Sequence, residues 1–180
     1  MRVIAGNAKG RRLKVPKGLK TRPTGDRVKE AIFNIIAPDV AGSRFLDLFA
    51  GSGAMGIEAL SRGAVEAVFV ENDRAAVNSI KANLAVTGFV DHANIITADV
   101  FPALTGLCSV FDLVYIDPPY AKQWGKKTIE VLIANQLAAP TATIMLEIRS
   151  GDVIPDKCGN FNLLSLRKYG DTSVGFYRNS

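Results

Sequence analysis

Short apolar segments alternate with amphipathic segments along most of this chain, and this alternation constrains the fold more than any other feature. Residues 28–36 carry apolar side chains at helical spacing, whereas 45–49 is a short apolar run typical of a buried strand. Similar runs predict further strands, at 65–70, 94–98, 111–116, 143–148, 163–166 and 174–177. Helices are predicted over 55–62, 73–86 and 128–137. Strands that alternate with helices imply a parallel sheet covered on both faces, here closed by an antiparallel hairpin.

Positive charge is concentrated at the start of the chain. The whole sequence carries a net charge of +5, but residues 1–30 alone carry ten basic and only two acidic side chains. A basic segment on a mildly acidic body favours docking on a polyanion, with a solvated tail as the alternative. Residues 3–5 and 13–15 flank a glycine-bounded turn, which predicts a hairpin that holds its basic side chains in place. We therefore divide the chain into a basic arm, 1–24, and a body, 25–180.

Composition excludes several classes of protein. With 48% hydrophobic and 22% charged residues, the chain is neither disordered nor fibrous. No apolar run is long enough for a membrane helix, and the N-terminus lacks the pattern of a secretion signal. One histidine and two widely separated cysteines fit neither a zinc site nor a disulfide framework. We expect a cytoplasmic monomer with no metal and no membrane contact.

A glycine-rich loop follows the first predicted strand. Gly51 and Gly53 let the backbone pass close to a ligand, and the next helix would point its amide end at that ligand. The spacing to Gly56 matches a dinucleotide-binding fingerprint, although a purely structural turn fits it equally well. Asp47, an acid inside the strand, favours the ligand, because a buried acid without a polar role would be costly.

Acidic residues end the next two strands. Glu71 can accept hydrogen bonds from both ribose hydroxyls of an adenosine, with an exposed strand-end acid as the alternative. Asp99 can accept from an adenine amino group, or it can cap the helix that follows. Together with the glycine loop, these two acids predict a nucleoside site without an evident phosphate ligand.

The strongest signal is the segment Asp-Pro-Pro-Tyr at 117–120, directly after the fourth strand. Pro118 and Pro119 have fixed φ angles, so the carbonyls of Asp117 and Pro118 point in set directions, and Tyr120 offers a flat face for stacking. This corner suits a planar group that carries an NH₂. Two acceptors that bind its N–H groups favour a pyramidal nitrogen, whose lone pair then faces an electrophile. Precise placement of this nitrogen against the electrophile supplies much of the rate of the reaction. A rigid surface turn is the alternative.

These signals, in this order, resemble the class I S-adenosylmethionine-dependent methyltransferases that methylate amines. Over essentially the whole chain, more specific segments resemble the bacterial 16S rRNA (guanine(966)-N(2))-methyltransferase family. These segments are 6–13, Thr21-Arg22-Pro23-Thr24, 26–31, 33–34, 56–63 and 168–172. Lys9 stands where this family would have arginine, which keeps the charge but loses the fork geometry of a guanidinium.

The resemblance implies a Rossmann-like class I methyltransferase fold with a mostly parallel seven-stranded sheet, and S-adenosyl-L-methionine as the cofactor. It implies that Glu71 would hold the ribose of the cofactor, and that Asp99 and Val100 would hold the adenine. The methionine end would be contacted by Asp47, Phe49, Ala50, Gly51 and Gly53. Thr24 is expected near the methionine end. The target guanine would be bound by Asp117, Pro118, Pro119 and Tyr120. RNA would be held by Arg2, Lys9, Arg11, Arg12, Lys14 and Arg22. The implied partner is 16S rRNA in the assembled small ribosomal subunit.

Two other functions stay open on the residues alone. The same corner suits any exocyclic amine, so methylation of adenine N6 or cytosine N4 in DNA is an alternative, although the chain has no evident DNA-recognition domain. A non-catalytic RNA-binding protein with a vestigial cofactor fold is the other alternative, against which the intact loop, Glu71 and Asp117 argue. Nothing in Asp-Pro-Pro-Tyr reads guanine over adenine, so that choice rests on the resemblance.

Overall fold

One eight-stranded sheet organises the residues that the structure, a computed structural model, describes: 1–16, 25–119 and 124–179. Its strands are β1 (Arg44–Leu48), β2 (Glu66–Glu71), β3 (Ala93–Thr97), β4 (Phe111–Ile116), β5 (Ala138–Arg149), β6 (Lys157–Cys158), β7 (Phe161–Tyr169) and β8 (Thr172–Asn179). They lie in the order β3-β2-β1-β4-β5-β8-β7-β6; the first five pair in parallel and the last three pair antiparallel. Strand order reverses between β1 and β4, and ligands bind in the crevice at such a switch point.

Helices precede the first strand and connect the parallel strands. In the described part of the chain they are α1 (Asp26–Ile35), α2 (Ala37–Val40), α3 (Ala54–Ser61), α4 (Arg74–Thr87), α5 (Val100–Gly106) and α6 (Trp124–Ala134), with one 3-10 turn at Val90–His92. The ends of α4 follow simple local rules: the Asp73 side chain accepts from the Ala76 amide, and Gly88 ends the helix at φ 79°. Among these described helices, none is both long and apolar enough to cross a membrane.

Apolar side chains pack on both faces of the sheet. Phe45 of β1 stacks on Phe33 of α1, with ring centroids 6.2 Å apart. Its neighbour Leu46 packs on the opposite face, in the cluster that contains Leu104 of α5 and Leu132 of α6. Because successive strand residues point to opposite faces, the uninterrupted apolar run of β1 fits a strand buried on both sides. The predicted α/β class with a mostly parallel sheet is thereby confirmed.

The boundaries differ from the sequence predictions in several places. The sheet has eight strands, so the predicted number of seven was wrong. The additional strand is β6, a two-residue edge strand that is too short to leave a periodic pattern. Strand β5 extends at both ends beyond the predicted 143–148. Gly25 is the N-cap residue of α1, and Pro38 lies inside α2 after α1 has already ended. Arg22, Thr24 and Tyr120 lie outside the described residues.

The N-terminal segment, residues 1–16, packs against α3. The predicted hairpin is short: a single antiparallel bridge joins Arg2 and Arg12. Val3 and Leu13 of this segment belong to the hydrophobic core. Gly6, at φ +80°, fits so closely that a Cβ there would lie 1.7 Å from the Ser61 carbonyl oxygen. The segment is therefore anchored on the body, with apolar side chains inward and basic side chains outward.

Candidate active site

The loop after β1 is held in place by Asp47. The Gly56 amide, in the first turn of α3, donates to Asp47 Oδ2 at 2.9 Å, and the Asp47 side chain is buried. Burial, and to a smaller extent the charge of Glu71, raises the pKa of Asp47 to about 8, although the Gly56 amide opposes this rise. A positively charged ligand group beside Asp47 would lower this pKa and favour the ionised carboxylate.

The glycines of the loop have separate functions. A Cβ on Gly56 would lie 2.4 Å from Cε1 of Phe69, so this glycine allows α3 to approach β2 closely. Gly51 has φ +54°, and among the described residues nothing would meet a Cβ there within 4 Å. The loop backbone at Gly51 therefore faces open space that a ligand can occupy. Ala50 is tied to the next strand by its amide, which donates to the Val70 carbonyl at 3.1 Å.

Glu71, the last residue of β2, connects the loop to the start of α4. Its two carboxylate oxygens accept from the Gly51 amide at 2.7 Å and from the Asp73 amide at 2.9 Å. These bonds fix the orientation of a partly exposed carboxylate beside the glycine loop. Each carboxylate oxygen has a further lone pair, so Glu71 retains the capacity to accept from ligand hydroxyls.

Asp99 and Val100 lie at the end of the third strand. Asp99 occupies the N-cap position of α5, but its side chain makes no capping hydrogen bond; it accepts instead from the Asn72 amide nitrogen at 2.7 Å. The Asp99 side chain therefore does not cap α5, which was the alternative to its binding a ligand. Through Asn72, the loops after β2 and β3 are joined at the same edge of the sheet.

Aromatic rings from the loop itself and from α5 and α6 pack together beside the glycine loop. Phe49 directly follows β1 and has φ 60°, an unusual backbone angle for a residue with a side chain. Its ring centroid lies 6.0 Å from that of Trp124 in α6, and Trp124 in turn lies 5.3 Å from Phe101 in α5. Lys127 Nζ lies 4.7 Å from the centroid of the Phe101 ring. The strained position of Phe49 is thus supported by packing against α6.

The corner at 117–119 begins where β4 ends. Asp117 is half-buried, and its amide lies 3.4 Å from the Leu48 carbonyl oxygen at the end of β1. The pKa of Asp117 is raised well above that of an ordinary aspartic acid, first by burial and then by the charges of Glu147 and Asp47. Pro118 is half-buried and Pro119 is exposed, so the corner is open to an incoming group.

The corner opens into a cleft of about 710 Å³ between β4, β5 and α6. Asp117, Pro118 and Pro119 form part of its wall, together with Val153, Ile154 and Pro155. The rim also carries basic side chains that the sequence analysis did not single out, namely Lys126, Lys127 and Arg149, all exposed. A volume of this size can hold a nucleobase and its sugar. The cleft therefore joins a corner that can hold an amine to a rim that can attract phosphate.

The exposed basic residues of the arm surround a buried anchor. Arg2, Lys9, Arg11, Arg12 and Lys14 are all exposed. Below them, Glu58 of α3 accepts from the Ile4 amide at 2.8 Å and from the Ala5 amide at 3.0 Å. Glu58 also pairs with Lys29 Nζ at 2.9 Å, and both side chains are fully buried. Lys29 in turn donates to the Arg2 carbonyl at 2.6 Å, so one buried ion pair holds the start of the arm.

A second anchor joins the other end of the described arm to the glycine loop. Asn83 of α4, fully buried, accepts from the Lys14 amide at 2.7 Å and donates to the Lys14 carbonyl at 2.9 Å. The same amide nitrogen donates to the Ser52 carbonyl at 2.9 Å. The arm and the loop thus share a single side chain.

Sequence reasoning missed three residues of this arrangement: Glu58, Asn83 and Glu147. Glu147 carries the same signal as Asp47, because it is an acid near the end of an otherwise apolar strand, and that signal could have identified it. Glu58 and Asn83 lie on helices, where a polar side chain is ordinary. Only their partners, which are far away in the sequence, reveal that they are buried.

The geometry places the glycine loop and the Asp117–Pro119 corner at neighbouring strand ends of one parallel sheet. Asp47 of β1 pairs in register with Tyr115 of β4, two residues before Asp117. A sheet of this strand order, with a glycine loop after β1 and a proline corner after β4, has the fold of the class I S-adenosylmethionine-dependent methyltransferases. This is the class of protein to which the structure assigns the chain.

Comparison with known proteins gives the family. Residues 1–178 match the family described as Conserved hypothetical protein 95, and the chain belongs to this family. Ribosomal RNA small subunit methyltransferase D of Escherichia coli (strain K12) is 35% identical over 178 residues, which cover 99% of this chain and 89% of the relative. YlbH of Bacillus subtilis (strain 168) is 39% identical over 181 residues, 99% of this chain and 98% of the relative. A solved structure from Escherichia coli superposes with a TM-score of 0.89 at 36% identity, covering 100% of this chain and 98% of that one. The predicted family, fold, cofactor and enzyme class are confirmed.

Proposed function

We propose that this protein transfers a methyl group from S-adenosyl-L-methionine to the exocyclic N2 of a guanine in 16S rRNA. The observation that carries the proposal is the Asp117–Pro119 corner, which opens into the cleft one strand away from the glycine loop. The relatives named as ribosomal RNA small subunit methyltransferases support rRNA as the substrate. Adenine or cytosine in DNA, the alternative that the corner by itself allows, has no support from these relatives.

The cofactor supplies an electrophilic methyl group when bound, and the chain's own residues hold it and the amine. Asp47 and the backbone of 49–53 would contact the methionine end, Glu71 would accept from the ribose hydroxyls, and Asp99 with the Val100 backbone would hold the adenine. The open space at Gly51 and the fixed carboxylate of Glu71 fit such a ligand. A cationic ligand group would also favour the ionised form of Asp47.

The corner would act on the amine by geometry. The carbonyls of Asp117 and Pro118, together with the Asp117 carboxylate, would accept from the two N–H bonds, so that the nitrogen lone pair faces the methyl carbon. As the new C–N bond forms, the bond between the methyl carbon and the cofactor's sulfur would break; one N–H proton then becomes acidic and can pass to the Asp117 carboxylate beside it. Asp117 therefore need not be a strong base in the free enzyme, and positioning supplies much of the rate.

The arm, residues 1–24, would grip RNA phosphates. Its described basic residues are exposed, and the anchors at Glu58 and Asn83 hold the backbone beneath them in one geometry. Phosphate contacts of this kind fix the orientation of a protein on RNA without reading its sequence. The target guanine must leave its stack to reach Asp117, and a loop base is the least costly to move. We further propose that the protein acts as a cytoplasmic monomer on assembled small subunits.

The test is to identify the methylated nucleoside directly. The protein is incubated with a labelled methyl donor and either small ribosomal subunits, free 16S rRNA or duplex DNA. The labelled nucleic acid is then digested to nucleosides, which are identified by mass spectrometry. We expect N2-methylguanosine from the small subunits, less from free rRNA and none from DNA. Label only in DNA, or on another atom of the base, would refute the proposal.

A further inference from the structure

The cleft contains a second carboxylate to which the proposed function gives no role. Glu147 lies near the end of β5, is 8% exposed, and lines the same cleft as Asp117 and Pro118. The register pairs Ile116 of β4 with Leu146 of β5, so Asp117 and Glu147 occupy the next positions on neighbouring parallel strands. Neighbouring strands lie about 4.8 Å apart, so the two acids can contact a single small ligand.

Glu147 is also held in one orientation. The Tyr115 hydroxyl donates to Glu147 Oε2, and Tyr115 is 2% exposed, two residues before Asp117 on β4. A carboxylate has about four acceptor positions, so a Glu147 side chain that is already bonded within the protein can also accept from a base. The charge of Glu147 is, after burial, the largest cause of the raised pKa of Asp117, as expected of two groups close together. A fixed, largely buried acid beside the amine corner is suited to recognise a specific donor.

We propose that Glu147 selects guanine, by accepting a hydrogen bond from the N1–H group while the adjacent N2 amine lies at Asp117 and Pro118. In guanine, two ring nitrogens flank the carbon that bears the exocyclic amine, and one of them, N1, carries a hydrogen. In adenine and cytosine, the ring nitrogen beside the amine is an acceptor, and its lone pair would face the carboxylate. The corner accepts any exocyclic amine, so the discrimination comes from the strand next to it. A site built around a donor rejects an analogue that lacks it, because the buried acceptor loses its partner.

This inference rests on the proposed function, and an analogue of the target base tests it. Small-subunit particles are prepared with either guanine or 2,6-diaminopurine at the target position. Diaminopurine keeps the 2-amine but has an acceptor at N1. The measured quantity is the ratio of kcat/KM for the two particles. For the unaltered protein we expect guanine to be preferred by at least about 100-fold.

Variants then locate the source of this preference. Glu147→Gln should lower the ratio at least about tenfold, because the glutamine amide can donate to the N1 acceptor of diaminopurine. Tyr115→Phe, which frees Glu147 to turn, should lower it to a smaller extent. Glu130→Gln is the matched control, since Glu130 lines the same cleft from α6 but is exposed, and it should leave the ratio unchanged. Damage to the fold would slow both particles alike and would not move the ratio.

The outcomes separate the two claims. Equal methylation of both particles by the unaltered protein, or a ratio that stays the same in Glu147→Gln, overturns the role of Glu147. If Glu147→Gln does not fold, an unchanged ratio in Tyr115→Phe overturns it instead. Failure of the unaltered protein to methylate guanine particles would contradict the proposed function itself, and with it any guanine site at Glu147.

Discussion

At the scale of single residues, the site depends on acids that the fold keeps close to one another and away from solvent. Asp47, Asp117 and Glu147 lie towards the carboxyl ends of three adjacent strands, and the pKa values of the two aspartates are raised. Such a cluster of acids is costly to bury, and clusters of this kind are typical of functional sites. The ligand site proposed here would therefore be built from residues whose burial lowers the stability of the fold.

Asp117 gives the first prediction. Asp117→Ala removes an acceptor from the amine corner but leaves the glycine loop, Asp47 and Glu71 in place. Turnover should fall by at least about 100-fold, because a positioned acceptor is lost in the transition state. Cofactor affinity, measured by calorimetry, should change by less than about threefold (~0.7 kcal/mol). Asp91→Ala, an exposed acid in the 3-10 turn, is the control. Loss of cofactor binding in parallel with turnover would place Asp117 in the cofactor site instead.

Asp47 gives a prediction about pH. Its folded-state pKa is about 8, against 3.8 for an ordinary aspartic acid, so between these values the folded protein holds a proton that the unfolded chain has lost. This contribution to stability is complete below about pH 4 and is lost as the pH rises towards 8. The slope is at most about 1.4 kcal/mol per pH unit for one proton.

Asp47→Asn tests this dependence, because asparagine keeps an oxygen that can accept from the Gly56 amide but cannot ionise. Urea unfolding of both proteins at several pH values between about 5 and 8 gives the difference in the free energy of unfolding. We expect this difference to shift in favour of the variant as the pH rises. A difference that does not vary with pH would show that Asp47 is already ionised in the folded protein.

At the scale of elements, the arm is fastened to α3 by charges rather than by apolar contact alone. Glu58 is fully buried and contacts Lys29, Arg62 and two backbone amides of the arm. A buried charge that loses its partner is strongly destabilising, whereas an exposed pair contributes little. Residues 1–16, the described part of the arm, are therefore an integral part of the fold rather than a solvated tail.

Glu58→Ala should lower the free energy of unfolding by about 3–5 kcal/mol, because it leaves Lys29 buried without a counter-charge. Glu130→Ala removes the exposed pair with Lys126, in which the charged atoms lie 3.6 Å apart, and should cost less than about 1 kcal/mol. Denaturant unfolding of the two variants provides the comparison. Similar costs for both would mean that the Glu58 ion pair contributes no more than a surface pair.

At the scale of the whole molecule, charge is divided between the arm and the strand ends. The first thirty residues carry a net charge of +8, while acids cluster at the carboxyl ends of the strands. Such an arrangement suits a protein that binds a phosphate backbone with one surface and inserts a neutral base into another. Asn83, which bonds both Lys14 and Ser52, is where the two regions meet.

Reversal of charge in the arm tests this division. Arg11→Glu with Arg12→Glu should weaken binding to small subunits and reduce the slope of log affinity against log salt, by about 0.7 to 0.9 for each phosphate that the arm no longer binds. Lys81→Glu with Lys157→Glu makes the same change in net charge at exposed positions of α4 and β6. Filter binding over a range of salt concentrations distinguishes them. If both double variants lost affinity equally, the arm would contribute only through the net charge of the protein and not through contacts of its own with phosphate.

From the sequence by itself follow the class of fold, which the structure confirms, and the candidate site residues at the strand ends, which stay a prediction. Strands buried on both faces leave continuous apolar runs, and an acid or a proline pair stands out at their ends, as at Asp47, Glu71 and Asp117. These are local signals, because the strand end and the residue that follows it are adjacent in the chain. The predicted arm also proved to be structured over residues 1–16, since its apolar residues mark the side that is buried.

Tertiary structure alone decided what those residues contact. Glu58 binds amides more than fifty residues away, and Asn83 joins the arm to the glycine loop, yet both look like ordinary helix residues in the sequence. Gly51 and Gly56 have separate functions because Phe69 lies against Gly56, whereas open space lies beside Gly51. Glu147 lies beside Asp117 only because β5 pairs with β4 in one register. Contacts between distant segments are set by packing of the whole chain, which no local pattern encodes.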